Sequence, residues 1–239
     1  MSNKYTTEMN SFAIGLVILV IVLVYILYRF FGLQTTELVS TASLTGSNPP
    51  IPIKTNPMGT RYAYGIWVYV NSWDTSVPKT IYGRDDNIKL YLDQITPTLK
   101  CDITMNKSTQ ASPQVMTVEI TDSFPLQKWT QIVVSVDNQY LDAYLDGKLI
   151  KSARIYKENA DSNDMPKVPI GTAAMNLGSG FDAYVSKFKH WSLPVNPQVV
   201  WSSYMEGNGG NGLQSYMSSY GINLSILKDN VEQSKYRLF

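Results

Sequence analysis

Residues 129–152, WTQIVVSVDNQYLDAYLDGKLIKS, admit few folds. Ile132, Val134 and Val136 alternate with smaller or polar residues, a turn follows at Asp137-Asn138, and a second alternating run covers Tyr140 to Leu145. Asp146-Gly147 then leads into Lys148–Ser152. A period of two puts successive side chains on opposite faces of a strand. Asp-Gly between two such runs suits a two-residue hairpin, because both central residues need positive φ. The stretch therefore reads as three consecutive antiparallel strands. Such a meander cannot bury its apolar face alone, so the rest of the chain must supply a facing sheet.

The neighbouring sequence offers the strands for one. Tyr62–Val70 is a long alternating run rich in aromatics, and shorter runs follow at Lys79–Tyr82, Ile88–Leu92, Leu99–Thr104 and Val115–Ile120. Turn-forming clusters such as Gly83–Asn87 and Met105–Pro113 separate them. After a polar loop at Tyr156–Val168, Ala174–Leu177 and Ala183–Trp191 close the domain. Short strands with no helical period between them predict an all-β antiparallel jelly-roll β-sandwich over 59–206. The 16 Tyr and 5 Trp suit strands and a sandwich core. Asn196, Pro197 and Gly207 stand where an N-cap, a first helical residue and a stop belong, which predicts one short C-terminal helix. Residues 207–239 form a Gly-rich extension without a firm period, able to drape over the sandwich or reach toward a neighbour.

The N-terminal end has a different composition. A polar tail, 1–10, precedes residues 11–33, SFAIGLVILVIVLVYILYRFFGL, which carry no charge before Arg29. A bilayer core of about 30 Å needs roughly 20 apolar helical residues, so this run predicts a single-pass transmembrane helix. A signal peptide would be shorter and would end in small residues, where this run has Tyr28, Phe30 and Phe31. A core helix would show a polar stripe, which this run lacks. Tyr25, Tyr28, Arg29, Phe30 and Phe31 resemble an interfacial belt. Lys4 lies on one side of the run and Arg29 and Lys54 on the other, which leaves the orientation open. Residues 34–58, with Pro49, Pro50, Pro52 and Pro57, read as an extended linker. It either holds the domain clear of the headgroups or packs along it as an irregular arm.

Three segments together carry a family resemblance. They are Tyr64–Val70, Trp129–Val136 with Ala143–Leu149, and Phe181–Trp191 followed by Leu193-Pro194 and Asn196–Val200. A Trp opening one strand, a Y-x-D-G hairpin and a last strand leading into a short helix resemble the concanavalin A-like lectin/glucanase superfamily. The form resembled is the laminin G-like or pentraxin-like jelly roll. The order of anchor, single jelly roll and Gly-rich tail, with Tyr220–Asn230 in that tail, further resembles membrane-anchored members encoded by large DNA viruses of algae and protists. That resemblance implies a virion minor capsid component in an internal membrane beneath the capsid. Its partners would be the lipid bilayer and other capsid proteins.

The chemistry of the chain points to contact rather than catalysis. A net charge of +1 argues against a broad basic face for nucleic acid. A glucanase of the superfamily needs paired carboxylates in an E-x-D-x-E pattern, and none occurs. Glu119 and Asp122 are three apart and so fall on opposite faces of a strand. Asp142 reads as an exposed strand position and Asp146 as a turn residue. His190 is the one histidine, which rules out a two-histidine cluster and reads as structural. Cys101, the one cysteine, sits in an alternating run as a buried, inert thiol, and this usage fits a cytosol-facing domain slightly better than a secreted one. No enzyme and no required cofactor are expected. The family resemblance implies a possible Ca²⁺ site, with Asp85, Asp86 and Asn87 as one oxygen-rich loop and Glu158, Asn159, Asp161, Asn163 and Asp164 as another. Solvated turns account for both loops more simply. Trp73, in a polar loop after the aromatic strand, and Tyr91 are the candidates for stacking on glycan rings, with rim packing the simpler role for Trp73. Asn106 and Asn223 head glycosylation-type triplets that arise easily by chance. A membrane-anchored structural protein is the first expectation and a lectin-like glycan-binding module the second.

Overall fold

The computed structural model describes residues 15–25, 35–107, 114–156, 164–209, 223–228 and 231–237. The chain divides into two units, one up to Gln34 and one from Thr35 onward. The first contains helix α1 over 15–25, an uncharged stretch whose residues are all exposed. At 1.5 Å per residue, α1 measures about 16 Å, roughly half a bilayer core. Among the described residues no helix is long and apolar enough to cross a membrane. Residues 11–14 and 26–33 of the expected span lie outside the described residues.

The second unit begins with β1 (Thr35–Ser43), β2 (Arg61–Val70), β3 (Lys79–Arg84), β4 (Ile88–Leu92), β5 (Leu99–Thr104) and β6 (Val115–Thr121). Then come β7 (Thr130–Asp137), β8 (Tyr140–Leu145), β9 (Lys148–Arg154), β10 (Met175–Leu177) and β11 (Ala183–Trp191). Helix α2 (Pro197–Met205) follows, and β12 (Asn223–Lys228) with β13 (Val231–Arg237) forms a separate two-stranded sheet inside the expected extension. One large sheet has the order β1-β11-β2-β7-β8-β9 and the other β10-β3-β4-β5-β6, with antiparallel pairing throughout. The meander is β7-β8-β9, turned by Asp146 at φ 45° and Gly147 at φ 78°.

Alternation decides which side chains meet. Tyr62, Tyr64, Ile66, Val68 and Val70 of β2 face inward, against Leu90, Leu92, Leu99, Cys101 and Ile103 of the other sheet. The opposite face of the larger sheet has a second, smaller core. There Ala63, Val133, Tyr144 and Trp191 pack under Val195 and Val200, so the short helix lies on the sandwich as a third layer. Asn196 caps it by accepting from the Val199 N–H at 3.0 Å, with Pro197 in the first turn, as the sequence predicts.

Two expectations need correction. Of the stretch expected as a linker, residues 35–58 pack along the domain, the second of the two alternatives, but begin as a regular strand instead of an irregular arm: β1 pairs with β11 along its length, Leu44 and Ile53 are buried, and Ile51 bridges Met175. The sandwich thus begins at Thr35 rather than 59. β1 is an edge strand exposed over much of its length, so its Thr- and Ser-rich sequence needs no clear apolar alternation. Nor is Gly83–Asn87 all solvated turn. β3 runs through Arg84, and Arg84 and Asn87 are buried.

Candidate functional site

The ends of three segments meet at one rim of the sandwich. β1 ends beside the entry to β11, where Leu44 N–H donates to Ala183 O at 2.8 Å and Phe181 N–H to Leu44 O at 3.2 Å. The loop after β2 joins them through Asn71 N–H, which donates to Asp182 O at 3.0 Å. Between them lies a cleft of about 260 Å³, lined by Thr45, Ser72, Asp74, Val77, Phe181 and Asp182. Asp182 Oδ2 accepts from Asn71 Nδ2 at 2.6 Å and from the Ser72 hydroxyl at 2.8 Å. Asp74 Oδ1 accepts from the Ser76 hydroxyl at 2.7 Å and its N–H at 2.8 Å, which hold the Asp74 carboxyl below the usual range. Carboxylates accept hydrogen bonds, hydroxyls both donate and accept, and Phe181 and Val77 add apolar surface. Such a lining suits a ligand with many hydroxyls and an apolar ring face.

Trp73 stands between two residues that line the cleft but does not line it. Its ring is half-buried against the core, and Nε1–H donates to Ile95 O at 3.2 Å. The Lys79 ammonium sits 4.3 Å from the ring centroid, so that part of the indole is already engaged. Lys79 is itself buried and donates to the Asp74 carbonyl, to Val77 O at 3.1 Å and to Gln94 O at 2.8 Å. Burial pushes its pKa down, while Asp74 and Asp93 oppose the shift. Trp73 and Lys79 together fix the loop that carries Ser72 and Asp74.

Asp85 and Asp86 lie elsewhere. They occupy the β3–β4 turn, at the far end of β3 from Lys79 and Trp73. Six strand residues separate the two ends by about 20 Å. Asp86 pairs with Lys167 at 2.9 Å and Asp85 is exposed. Of the second oxygen-rich loop, Asp164 is buried and accepts from Lys107 N–H at 3.1 Å. Glu158, Asn159, Asp161 and Asn163 lie outside the described residues. Among the described residues no group of three or more His, Cys, Asp or Glu could hold a metal ion. Asn87 turns inward and donates to the Tyr62 hydroxyl at 2.9 Å. Tyr91 faces a polar sheet surface, donating to Asp102 at 3.2 Å with the Lys89 ammonium 5.2 Å from its ring.

His190 and Cys101 are buried in the interior. Burial pushes the Cys101 thiol up, leaving it a neutral, unreactive group. The His190 ring lies 5.0 Å from that of Tyr64, and burial with the Arg84 guanidinium lowers its pKa to about 4. Arg84 donates through Nε to Ala173 O at 3.0 Å, and through Nη2 to Pro57 O at 2.7 Å and Ile170 O at 3.0 Å.

The family model for laminin G-like domains of the concanavalin A-like lectin/glucanases superfamily matches residues 45–200. The chain belongs to this superfamily. The match starts at Thr45 on the cleft and leaves β1 outside it. No curated protein matches the chain in sequence. Solved structures resemble it in fold. The receptor binding domain of botulinum neurotoxin C/D mosaic serotype, with tetraethylene glycol bound, aligns at 13% identity and a TM-score of 0.52, covering 74% of this chain and 46% of that one. The botulinum neurotoxin serotype D ligand binding domain, in complex with N-acetylneuraminic acid, aligns at 11% identity and a TM-score of 0.50, covering 73% and 46%. The chain thus spans less than half the length of those domains, and identities this low show the shared fold alone. Within this superfamily member, Thr45, Asp74 and Asp182 escape sequence reasoning because they come from three separated segments. The polar run Asn71–Ser76 directly after an aromatic strand is the signal that pointed nearest to them.

Proposed function

We propose that this protein is a lectin-like module that binds carbohydrate without transforming it, and that residues 11–33 hold it in a membrane. The observation that carries this reading is the rim cleft, where Asp74, Asp182, Ser72 and Thr45 offer hydrogen bonds beside Phe181 and Val77. Membership of a lectin-containing superfamily supports it. So does the geometry of Trp73 and Lys79, which brace the cleft loop before any ligand arrives and so lower the ordering cost of binding. A glycan array probed with the detergent-solubilised full chain tests the reading. Reproducible binding should weaken in Asp182→Ala and, through the loop, in Trp73→Ala. An array without hits, or hits unaffected by both changes, removes the assignment.

A second reading, a structural component of a virus particle linking an internal membrane to the capsid, rests on the apolar run 11–33 and the resemblance around Tyr220–Asn230. Assaying purified particles for this chain before and after detergent removes lipid tests it. A chain absent from particles rejects it.

A further inference from the structure

The rim cleft carries a charge that its surroundings do not cancel. Asp74 and Asp182 both line it, and among the described residues no lysine, arginine or histidine does. The Lys79 ammonium lies behind the loop and is buried. It donates to the carbonyls of Asp74, Val77 and Gln94 and sits against the Trp73 ring. Those three carbonyls engage all three of its N–H donors, so it has none to turn toward a ligand.

Each carboxylate is half occupied. Asp74 Oδ1 takes both donors from Ser76, and Asp182 Oδ2 takes those of Asn71 and Ser72. Among the described residues Asp74 Oδ2 and Asp182 Oδ1 accept no hydrogen bond. The bonds to the other two oxygens hold both side chains in place, so the free oxygens are presented before a ligand arrives. Size narrows the occupant further. A cleft of about 260 Å³ lies just under the roughly 300–1,000 Å³ of ordinary small-molecule sites, which suits one sugar ring at the end of a chain.

A carboxylate accepts hydrogen bonds and cannot donate them. A sugar hydroxyl satisfies it, and a sugar ammonium satisfies it with a shorter, charge-assisted bond. A second carboxylate or a sulfate sets like charge against it, with no cation in the lining to offset the repulsion. Asp74 is exposed, so solvent and salt moderate the discrimination to severalfold.

We infer that the cleft sorts sugars by charge: it takes a terminal sugar with a free ammonium in preference to its N-acetylated form, and turns away one bearing a carboxylate or sulfate. This rests on the carbohydrate-binding reading above, and the test separates the two.

The detergent-solubilised full chain is titrated with three probes: a glucosamine trimer, the same trimer N-acetylated, and a trisaccharide ending in N-acetylneuraminic acid. Titration is done at about pH 6, where a sugar amine is protonated and an aspartate is not. It is repeated at about 0.05 M and about 1 M salt, the second of which screens exposed charges beyond a few ångströms. The amine form should bind severalfold more tightly than the acetylated form at low salt, the advantage should fade at high salt, and the acidic probe should not bind. Asp74→Asn with Asp182→Asn should erase the advantage, whereas Asp85→Asn, at the far end of β3, should keep it. Asp74→Asn alone, at an exposed loop position, should lose part of it and carries the test if the Asp182 change disturbs the rim. Equal binding of the amine and acetylated forms, or binding of the acidic probe, overturns the inference and leaves the lectin reading standing. An advantage that survives in the double variant overturns it by placing the attraction elsewhere on the surface. Binding abolished by a chelator overturns it in favour of a metal ion held by the two carboxylates. A chain that binds none of the three probes, nor any glycan on the array, removes the reading and the inference together.

Discussion

The indole of Trp201 lies directly over Gly147, so close that a Cβ on the glycine would fall 2.7 Å from the ring's Cε3 atom. Gly147 also sits at φ 78°, where side chains are strained. Gly147→Ala should therefore lower stability by about 1–3 kcal/mol and shift Trp201 off the turn. Urea unfolding and tryptophan emission measure the two effects. Unchanged values for both would mean that the turn and the ring are independent.

His190 gives the fold a pH dependence with a defined sign. An unfolded histidine takes up a proton near 6.5, whereas burial and Arg84 delay that event in the folded chain to about 4. Between those values the unfolded state binds more protons, so stability falls as pH drops from 6.5 toward 4. The loss should reach about 3 kcal/mol at the lower limit and be absent above pH 7. Asp93, held to about 2 by its ion pair with Lys100 and the N–H groups of Ile95 and Thr96, titrates below that window. Unfolding midpoints across the range should slope in the native protein and flatten in His190→Gln. Parallel slopes would refute the assignment.

Arg84 binds two distant loops to β3 through three carbonyl acceptors. Arg84→Met strands those carbonyls and should cost roughly 3 kcal/mol or more. Arg84→Lys should not rescue the loss, because a single ammonium cannot reproduce a planar fork. Limited proteolysis should open first around Pro57 and Ile170. Cleavage sites unchanged from the native protein would argue against the clamp.

These residues also mark how far the sequence could be read. Strand alternation announced the meander and β2, and the Asn-Pro and Gly signals announced α2. The sequence was less legible where one feature served two interpretations. β1 resembles a linker in composition because an edge strand can leave its residues exposed. Arg84 follows a glycine and precedes two aspartates, which suggests a turn, yet its partners lie 27 to 89 residues away. Trp73 was legible as a residue of note, but the ammonium against its ring comes from the following strand. The cleft had one local signature, the polar run after β2 that carries Ser72 and Asp74, and topology brings Thr45 and Asp182 to it.

Helix α2 offers a local test. Asn196→Ala removes the cap on Val199 N–H and should destabilise the helix by about 1 kcal/mol. Lys189 pairs with Glu206 just beyond its last turn, so the helix should loosen from its N-terminal end. Hydrogen exchange should rise in α2 while β2 and β7 stay protected. Equal exchange in both proteins would show that packing of Val195 and Val200 alone holds it.

The place of β1 has a mechanical consequence. Within the larger sheet it touches one neighbour, β11, and its first rung joins Thr35 to Trp191. An edge strand held by one neighbour is the part of a sheet that peels first. Yet Leu38, Val39 and Ala42 of β1 pack against the core, so opening the ladder from Thr35 uncovers apolar surface within a few rungs and the edge stays shut.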